Sequence, residues 1–70
     1  MKSLYEKYAQ LKKMRGVTDY KVAKETGITR STFTDWKNGV SIPKAPKIQK
    51  IANFFNVSIG YFYDEGVNLL

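Results

Sequence analysis

The sequence predicts an all-α protein, a compact bundle of five short helices. Apolar residues recur at spacings of three and four along each segment, the period of a helix with one buried face. Glycine, proline and Asn-Gly interruptions cut the 70 residues into short segments, and no segment shows the alternation of a strand. We expect residues 1–70 to form a single domain with a small core.

The first helix is predicted over about 4–15. Its apolar positions follow the helical spacing at Leu4, Tyr8 and Leu11. Gly16 then interrupts the pattern and predicts the end of the helix.

The second helix is predicted to run from the N-cap residue Thr18 to about Thr26. The threonine hydroxyl can accept a hydrogen bond from a free N–H of the first turn. Val22 and Ala23 form the buried face. Gly27 suits the left-handed conformation that ends many helices.

The third helix is predicted to begin at the N-cap residue Thr29 and to reach about Lys37. Phe33 and Trp36, three residues apart, are its buried pair. The Asn-Gly sequence at 38–39 predicts its end.

The fourth helix is predicted over about 45–55, with Pro46 in the first turn, where a missing N–H costs nothing. Asn56 can adopt the left-handed conformation after it. A short fifth helix is predicted over about 59–63, capped by Ser58. The buried stripe of the fourth helix consists of Ile48, Ile51, Ala52 and Phe55.

The composition excludes several classes of function. The chain contains neither cysteine nor histidine. It therefore lacks thiolate nucleophiles, the usual zinc ligands and the usual general base. We expect no enzymatic activity, no cofactor or metal, and no small-molecule ligand. No apolar run approaches the roughly 20 residues that span a bilayer, so we expect no membrane partner and a cytoplasmic location, on a bacterial or phage nucleoid.

Positive charge is concentrated in one part of the chain. Twelve lysines and arginines face six acidic residues, giving a net charge of +6. All twelve basic residues lie in 1–50, whereas 51–70 contains only Asp64 and Glu65 as charged residues. This asymmetry favours a surface that binds a polyanion such as nucleic acid, although charge can also serve solubility alone.

The second and third helices are joined by a turn of about three residues, 27–29. Ala23 is small enough to let the helices cross closely, and Gly27 permits the positive φ of a sharp turn. This pattern over about 18–38 is typical of a helix-turn-helix motif, although any helical hairpin could show it. The residues that wedge the two helices apart are Val22, Ile28, Phe33 and Trp36.

The stretch 15–63 resembles the phage repressor and Cro family of helix-turn-helix domains, also described as xenobiotic-response-element-like. The matching segments are RGVT, VAKETGIT, RSTFTDWKNG and IQKIANFFNVS. The resemblance implies a five-helix bundle of the lambda-repressor-like type with its third helix, 29–37, in the major groove. It also implies a transcriptional regulator, acting as a repressor, that binds a palindromic operator in double-stranded DNA as a homodimer.

Four residues on the polar side of the third helix are candidates for reading bases. Arg30 can bond guanine O6 and N7 together, and Ser31 and Thr34 can bond bases or pack on thymine methyl groups. Asp35 can accept from the cytosine amine. It can equally pair with Arg30 or Lys37 and never touch DNA.

Phosphate contacts are expected from helix ends and flanking lysines. The resemblance implies backbone clamping at Thr18, Asn38, Lys44 and Lys47, with further candidates among the other lysines. The predicted phosphate contacts are Thr18, Lys21, Lys37, Asn38, Lys44 and Lys47.

The sequence departs from the family pattern in two ways. The second helix begins with Asp19 where the family usually has a glutamine that touches DNA, and we expect this carboxylate to stabilise the helix N-terminus. Lys12 and Lys37 stand where the family often pairs an arginine with a glutamate. Since like charges cannot form that pair, we expect both lysines to turn toward phosphate.

The C-terminal end of the chain is apolar and contains no lysine or arginine. It comprises the segment 53–63 and the tail residues Val67, Leu69 and Leu70. Such a patch favours a protein interface. The predicted homodimer contacts are Phe55, Tyr61 and Phe62. Alternatively, these residues only close the core. For the protein as a whole, one alternative function is an antitoxin-like or accessory protein-interaction module, and another is RNA binding.

Overall fold

The computed structural model describes residues 4–63, which form five α-helices and no strand. The predicted all-α class is confirmed. The fifth helix begins one residue later than predicted, and the Ser58 hydroxyl caps its first turn by accepting a hydrogen bond from the Gly60 N–H at 3.0 Å. The helices are α1 Leu4–Arg15, α2 Asp19–Thr26, α3 Arg30–Lys37, α4 Ala45–Phe55 and α5 Gly60–Tyr63.

The ends of the helices follow the local chemistry of the chain. The Thr18 hydroxyl accepts from the Lys21 N–H at 3.2 Å, as predicted for an N-cap. Asn56 ends α4 in the left-handed conformation with φ 58°, which asparagine tolerates. Thr29 has the extended backbone of an N-cap, but its hydroxyl bonds the side chains of Ser31 and Thr32 instead of a free N–H.

Tyr8 lies at the centre of a single hydrophobic core. Its ring stacks on Phe33 with centroids 5.2 Å apart and on Trp36 at 5.1 Å, and it meets the edge of Phe55 at 6.1 Å. Aromatic pairs of this kind add about 0.5–1.5 kcal/mol each beyond the burial of their area. The core therefore ties α1, α3 and α4 together through one side chain.

The core also contains two aromatic residues that the sequence assigned to a dimer interface. Phe55 is 1% exposed and Phe62 is 2% exposed, so neither can contact a second chain, and that assignment is wrong. Phe55 belongs to the buried stripe of α4, and the left-handed residue Asn56 turns the chain so that α5 packs against α1. Tyr61 is half-buried. The apolar tail at 67–70 lies outside the described residues.

No helix in residues 4–63 has both the length and the apolar character that a bilayer crossing requires.

Candidate nucleic-acid interface

The turn between α2 and α3 is held by three hydrogen bonds. The Gly27 N–H donates to the Ala23 carbonyl at 2.9 Å, and Gly27 has a φ of 77°. The Thr26 hydroxyl donates to the Val22 carbonyl at 2.7 Å and accepts from the Ile28 N–H at 3.3 Å. Val22, Ala23 and Ile28 are buried beneath the turn, so the angle between the two helices is set by packing as well as by the backbone.

One side of α3 is buried and the opposite side faces solvent. Phe33 and Trp36 are in the core, whereas Arg30, Ser31 and Thr34 are exposed. Asp35 is half-buried at the edge of this face. The structure thus brings the four candidate base-reading residues together on a single accessible ridge, which we call the α3 ridge (Arg30, Ser31, Thr34, Asp35).

Hydroxyl groups of the α3 ridge are partly engaged within the chain. Thr34 donates to the Arg30 carbonyl at 3.3 Å, and Ser31 shares a hydrogen bond with Thr29 at 3.2 Å. Each hydroxyl oxygen keeps a lone pair for a donor, and an exposed hydroxyl can exchange its partner for a base edge.

Charged groups of the α3 ridge have no ion-pair partner in the part of the chain that the structure describes. The Arg30 guanidinium lies over the ring of Tyr20, 5.7 Å from its centroid, and meets no carboxylate there. Asp35 pairs with neither Arg30 nor Lys37 within residues 4–63. The alternative in which Asp35 is neutralised by one of these cations is therefore not what the fold provides.

Exposed cationic and polar groups border the α3 ridge. Lys44 and Lys47 line a surface hollow of about 390 Å³ together with Thr32 and Asp35, so the start of α4 lies beside α3. Lys21 forms an exposed pair with Glu25 at 3.4 Å, a contact weak enough to yield to a phosphate. All six predicted phosphate contacts are exposed: Thr18, Lys21, Lys37, Asn38, Lys44 and Lys47.

Asp19 lies in the first turn of α2, where it was expected to stabilise the helix N-terminus, and it also makes contacts with α1. Its Oδ1 accepts from the Lys12 ammonium at 2.7 Å and from the Tyr8 hydroxyl at 2.7 Å. The carboxylate therefore ties α1 to the start of α2. Lys12 is held in this pair, so the expectation that it turns toward phosphate is wrong, whereas Lys37 stays exposed at the end of α3.

The electrostatics of this cluster favour the charged form of Asp19. Burial alone would raise its pKa. The hydrogen bonds from Lys12 and Tyr8 and the charges of Lys12 and Lys37 outweigh burial, so the pKa of Asp19 lies below its ordinary 3.8. Burial first, and then the bond to Asp19, raise the pKa of the Tyr8 hydroxyl far above its ordinary 10.0. Tyr8 is thus a hydrogen-bond donor at every physiological pH.

Sequence reasoning missed the two tyrosine contacts. Tyr8 was assigned to the core for its ring alone, because a hydroxyl partner eleven residues away leaves no periodic signal. Tyr20 was given no role, although an exposed aromatic one residue into a helix is itself a signal.

No group of three acidic or other metal-ligating side chains occurs within residues 4–63.

A short helical pair with an exposed polar ridge and flanking lysines is the architecture of a DNA-binding domain. A family model described as a helix-turn-helix domain matches residues 5–65. The chain belongs to this family of helix-turn-helix domains, and the match agrees with the resemblance to the Cro and repressor type. Domains of this class are associated with DNA binding and transcription regulation and are typically not enzymes. No curated protein and no solved structure matches the chain.

Proposed function

We propose that this protein is a transcriptional regulator, acting as a repressor, that recognises a specific sequence in double-stranded DNA through the α3 ridge. The observation that carries the proposal is the division of α3 into a buried aromatic side and an exposed polar side bordered by lysines. A helix presented in this way fits the major groove of B-DNA, which is about 12 Å wide.

Roles within the α3 ridge follow from the chemistry of each side chain. Arg30 bonds guanine O6 and N7, since its donors are not occupied by a carboxylate among the described residues. Ser31 and Thr34 bond base edges or pack on thymine methyl groups. Asp35 accepts from a cytosine amine, and Lys44 and Lys47 beside it offset its repulsion from phosphate.

Thr18, Asn38 and the flanking lysines hold the DNA backbone and set the register of α3 in the groove. Thr18 is placed at the N-terminus of α2, where the helix dipole favours an anion. Each phosphate neutralised by a lysine should make the logarithm of the binding constant fall by about 0.9 per unit of log salt concentration.

Two copies are proposed to bind a palindromic operator, with their α3 helices in successive major grooves about 34 Å apart. The family resemblance supports a homodimer. Because Phe55 and Phe62 are buried, they leave half-buried Tyr61 and exposed Tyr63 as the aromatic surface available for a dimer contact near the end of the described chain.

The experiment is selection of bound duplexes from a random pool at two salt concentrations. We expect a short palindromic consensus at both, with weaker binding at the higher concentration. A pool that stays random would refute sequence recognition. A protein partner captured without any duplex preference would favour the protein-interaction module, and preference for RNA over duplex DNA in competition would favour RNA binding.

A further inference from the structure

An exposed aromatic residue next to the α3 ridge, Tyr20, does not belong to the hydrophobic core. Tyr20 lies in the first turn of α2 and is 58% exposed. Its ring makes no contact with another aromatic ring in the described residues. The two tyrosines of α1, Tyr5 and Tyr8, by contrast stack in or on the core. A ring with this much exposure adds little to the core, so its contacts are with the surface groups around it.

Within residues 4–63, the charged group placed over this ring is the Arg30 guanidinium, 5.7 Å from the ring centroid. This separation is within the range of a cation–π contact. Both side chains line a hollow of about 320 Å³ that buried Ala23 and Ile28 also line. Because the turn fixes α2 against α3, the backbones that carry the two side chains keep a constant separation.

A contact with an aromatic ring does not consume the hydrogen bonds of a guanidinium. Arginine has five N–H donors, and the bidentate bond to guanine uses those along one edge of the planar group. A carboxylate partner would occupy the same edge. A ring partner limits the rotamers of the side chain and leaves its edge free.

We infer that Tyr20 is a positioning residue for sequence recognition: its ring holds the Arg30 guanidinium in place so that the arginine can read a base pair. The inference rests on the proposed function and assigns to α2 a share in specificity. A cation–π contact at an exposed site corresponds to about a 2- to 5-fold effect on the preference for the base pair read by Arg30.

The test compares Tyr20→Leu, which removes the ring, with Tyr20→Phe, which removes only the hydroxyl. The measured quantity is the ratio of affinities for the selected duplex and for one altered at the Arg30-dependent base pair. We expect Tyr20→Leu to lower this ratio by about 2- to 5-fold and Tyr20→Phe to keep it. In an Arg30→Ala background, Tyr20→Leu should leave the ratio unchanged.

Three results would overturn the inference. The ratio could be unchanged in Tyr20→Leu; it could fall by the same factor without Arg30, so that Tyr20 acts on DNA by itself; or Tyr20→Phe could behave like Tyr20→Leu, so that the hydroxyl matters. A wild-type protein that prefers no duplex would instead refute the proposed function.

A measurement on the free wild-type protein tests the contact without DNA. The Arg30 side-chain protons should show an upfield ring-current shift in the wild-type NMR spectrum, and the shift should persist in Tyr20→Phe. Its absence from the wild-type spectrum would overturn the inference. Met14→Ala, at another exposed apolar position, is the matched control and should alter neither the shift nor the ratio.

Discussion

Asp19 joins α1 to the helix-turn-helix unit through two contacts of 2.7 Å, one from Lys12 and one from the Tyr8 hydroxyl. Since Tyr8 also stacks on Phe33 and Trp36, the same side chain connects the carboxylate to the core beneath α3. Removal of the Asp19 carboxylate should therefore leave the buried Tyr8 hydroxyl without its acceptor. This costs more stability than the loss of an exposed ion pair.

Replacing Asp19 with alanine should lower the free energy of unfolding at pH 7 by about 1–2 kcal/mol, between the values for exposed pairs and for buried charged hydrogen bonds. Urea denaturation measures this change. Asp35→Ala is the matched control, because Asp35 has no ion pair within residues 4–63, and it should stay within about 0.5 kcal/mol of wild type. Equal losses in both variants would contradict the role given to Asp19.

The contribution of Asp19 should depend on pH. Its pKa in the folded protein lies below the ordinary 3.8 of the unfolded chain, so the folded state binds fewer protons in that range. The stabilisation is complete above pH 3.8 and is lost as the pH falls through the folded pKa. The difference in unfolding free energy between wild type and Asp19→Ala should thus shrink in acid. A difference that grows below pH 3.8 would contradict the sign of the shift.

Arg30→Ala should reduce affinity for the selected duplex by about 1–3 kcal/mol and relax preference at one base pair. The reason is that a bidentate bond to guanine carries sequence information, whereas a phosphate contact does not. Fluorescence anisotropy with duplexes altered at each position measures both effects. Arg15→Ala, at another exposed arginine, should leave the base preferences intact. Unchanged preferences in Arg30→Ala would assign Arg30 to phosphate.

At the scale of elements, the turn between α2 and α3 depends on the backbone of Gly27. Its φ of 77° lies in the left-handed region, and a Cβ built there would meet no atom within 4 Å. Gly27→Ala should therefore cost only conformational strain, about 1 kcal/mol of unfolding free energy after the lower entropy of the unfolded chain is counted.

The same urea experiment should show a smaller loss for Gly27→Asn, because asparagine tolerates the left-handed region better than alanine. Equal stability of Gly27→Ala and wild type would contradict the left-handed turn. A loss above about 3 kcal/mol would contradict the open space around this position.

Local signals in the sequence determine the helices of this chain well. The caps and interruptions at Thr18, Gly27 and Asn56 act over a few residues, so they could be recognised without the fold. The buried stripe of α4 was likewise predicted from spacing alone. The α3 ridge could be predicted for the same reason, since burying Phe33 and Trp36 leaves only one side of the helix for solvent.

Contacts between elements were less accessible to sequence reasoning. The pair of Lys12 and Asp19 depends on how α1 crosses α2, which no periodicity encodes. The burial of Phe62 depends on the direction in which α5 leaves the turn at Asn56. In a short aromatic segment, apolar composition cannot tell a residue that closes the core from one that meets a partner.

The affinity of the molecule for DNA should depend on which of its lysines meet phosphate. Lys37→Gln and Lys47→Gln should each reduce the slope of log affinity against log salt by about 0.9, because each removes one of the proposed phosphate contacts. Anisotropy titrations at several salt concentrations measure the slope. Lys50 lines a different hollow with Glu25 and Phe54, so Lys50→Gln is the control. This variant should keep the wild-type salt slope. Equal slopes in all three variants would contradict the proposed binding side.

The dimensions of the domain limit what one copy can recognise. It measures 32 × 24 × 21 Å, so one copy can cover about six to nine base pairs at about 3.4 Å each. A site this short recurs often among the about 10⁶–10⁹ competing sites of a genome. The proposed second copy would double the site and couple the two binding events through a protein interface.

Tyr63→Glu tests that coupling, because Tyr63 is 46% exposed and a charge there should not disturb the core. We expect the variant to bind a half-site duplex like wild type and to lose about tenfold or more of the wild-type preference for the full palindrome, since it loses the avidity of the second copy. Sedimentation with each duplex gives the number of copies bound. Met14→Glu, a charge placed on α1, should keep the preference for the full site. If Tyr63→Glu binds the palindrome as tightly and in the same number of copies as wild type, the dimer is formed elsewhere or not at all.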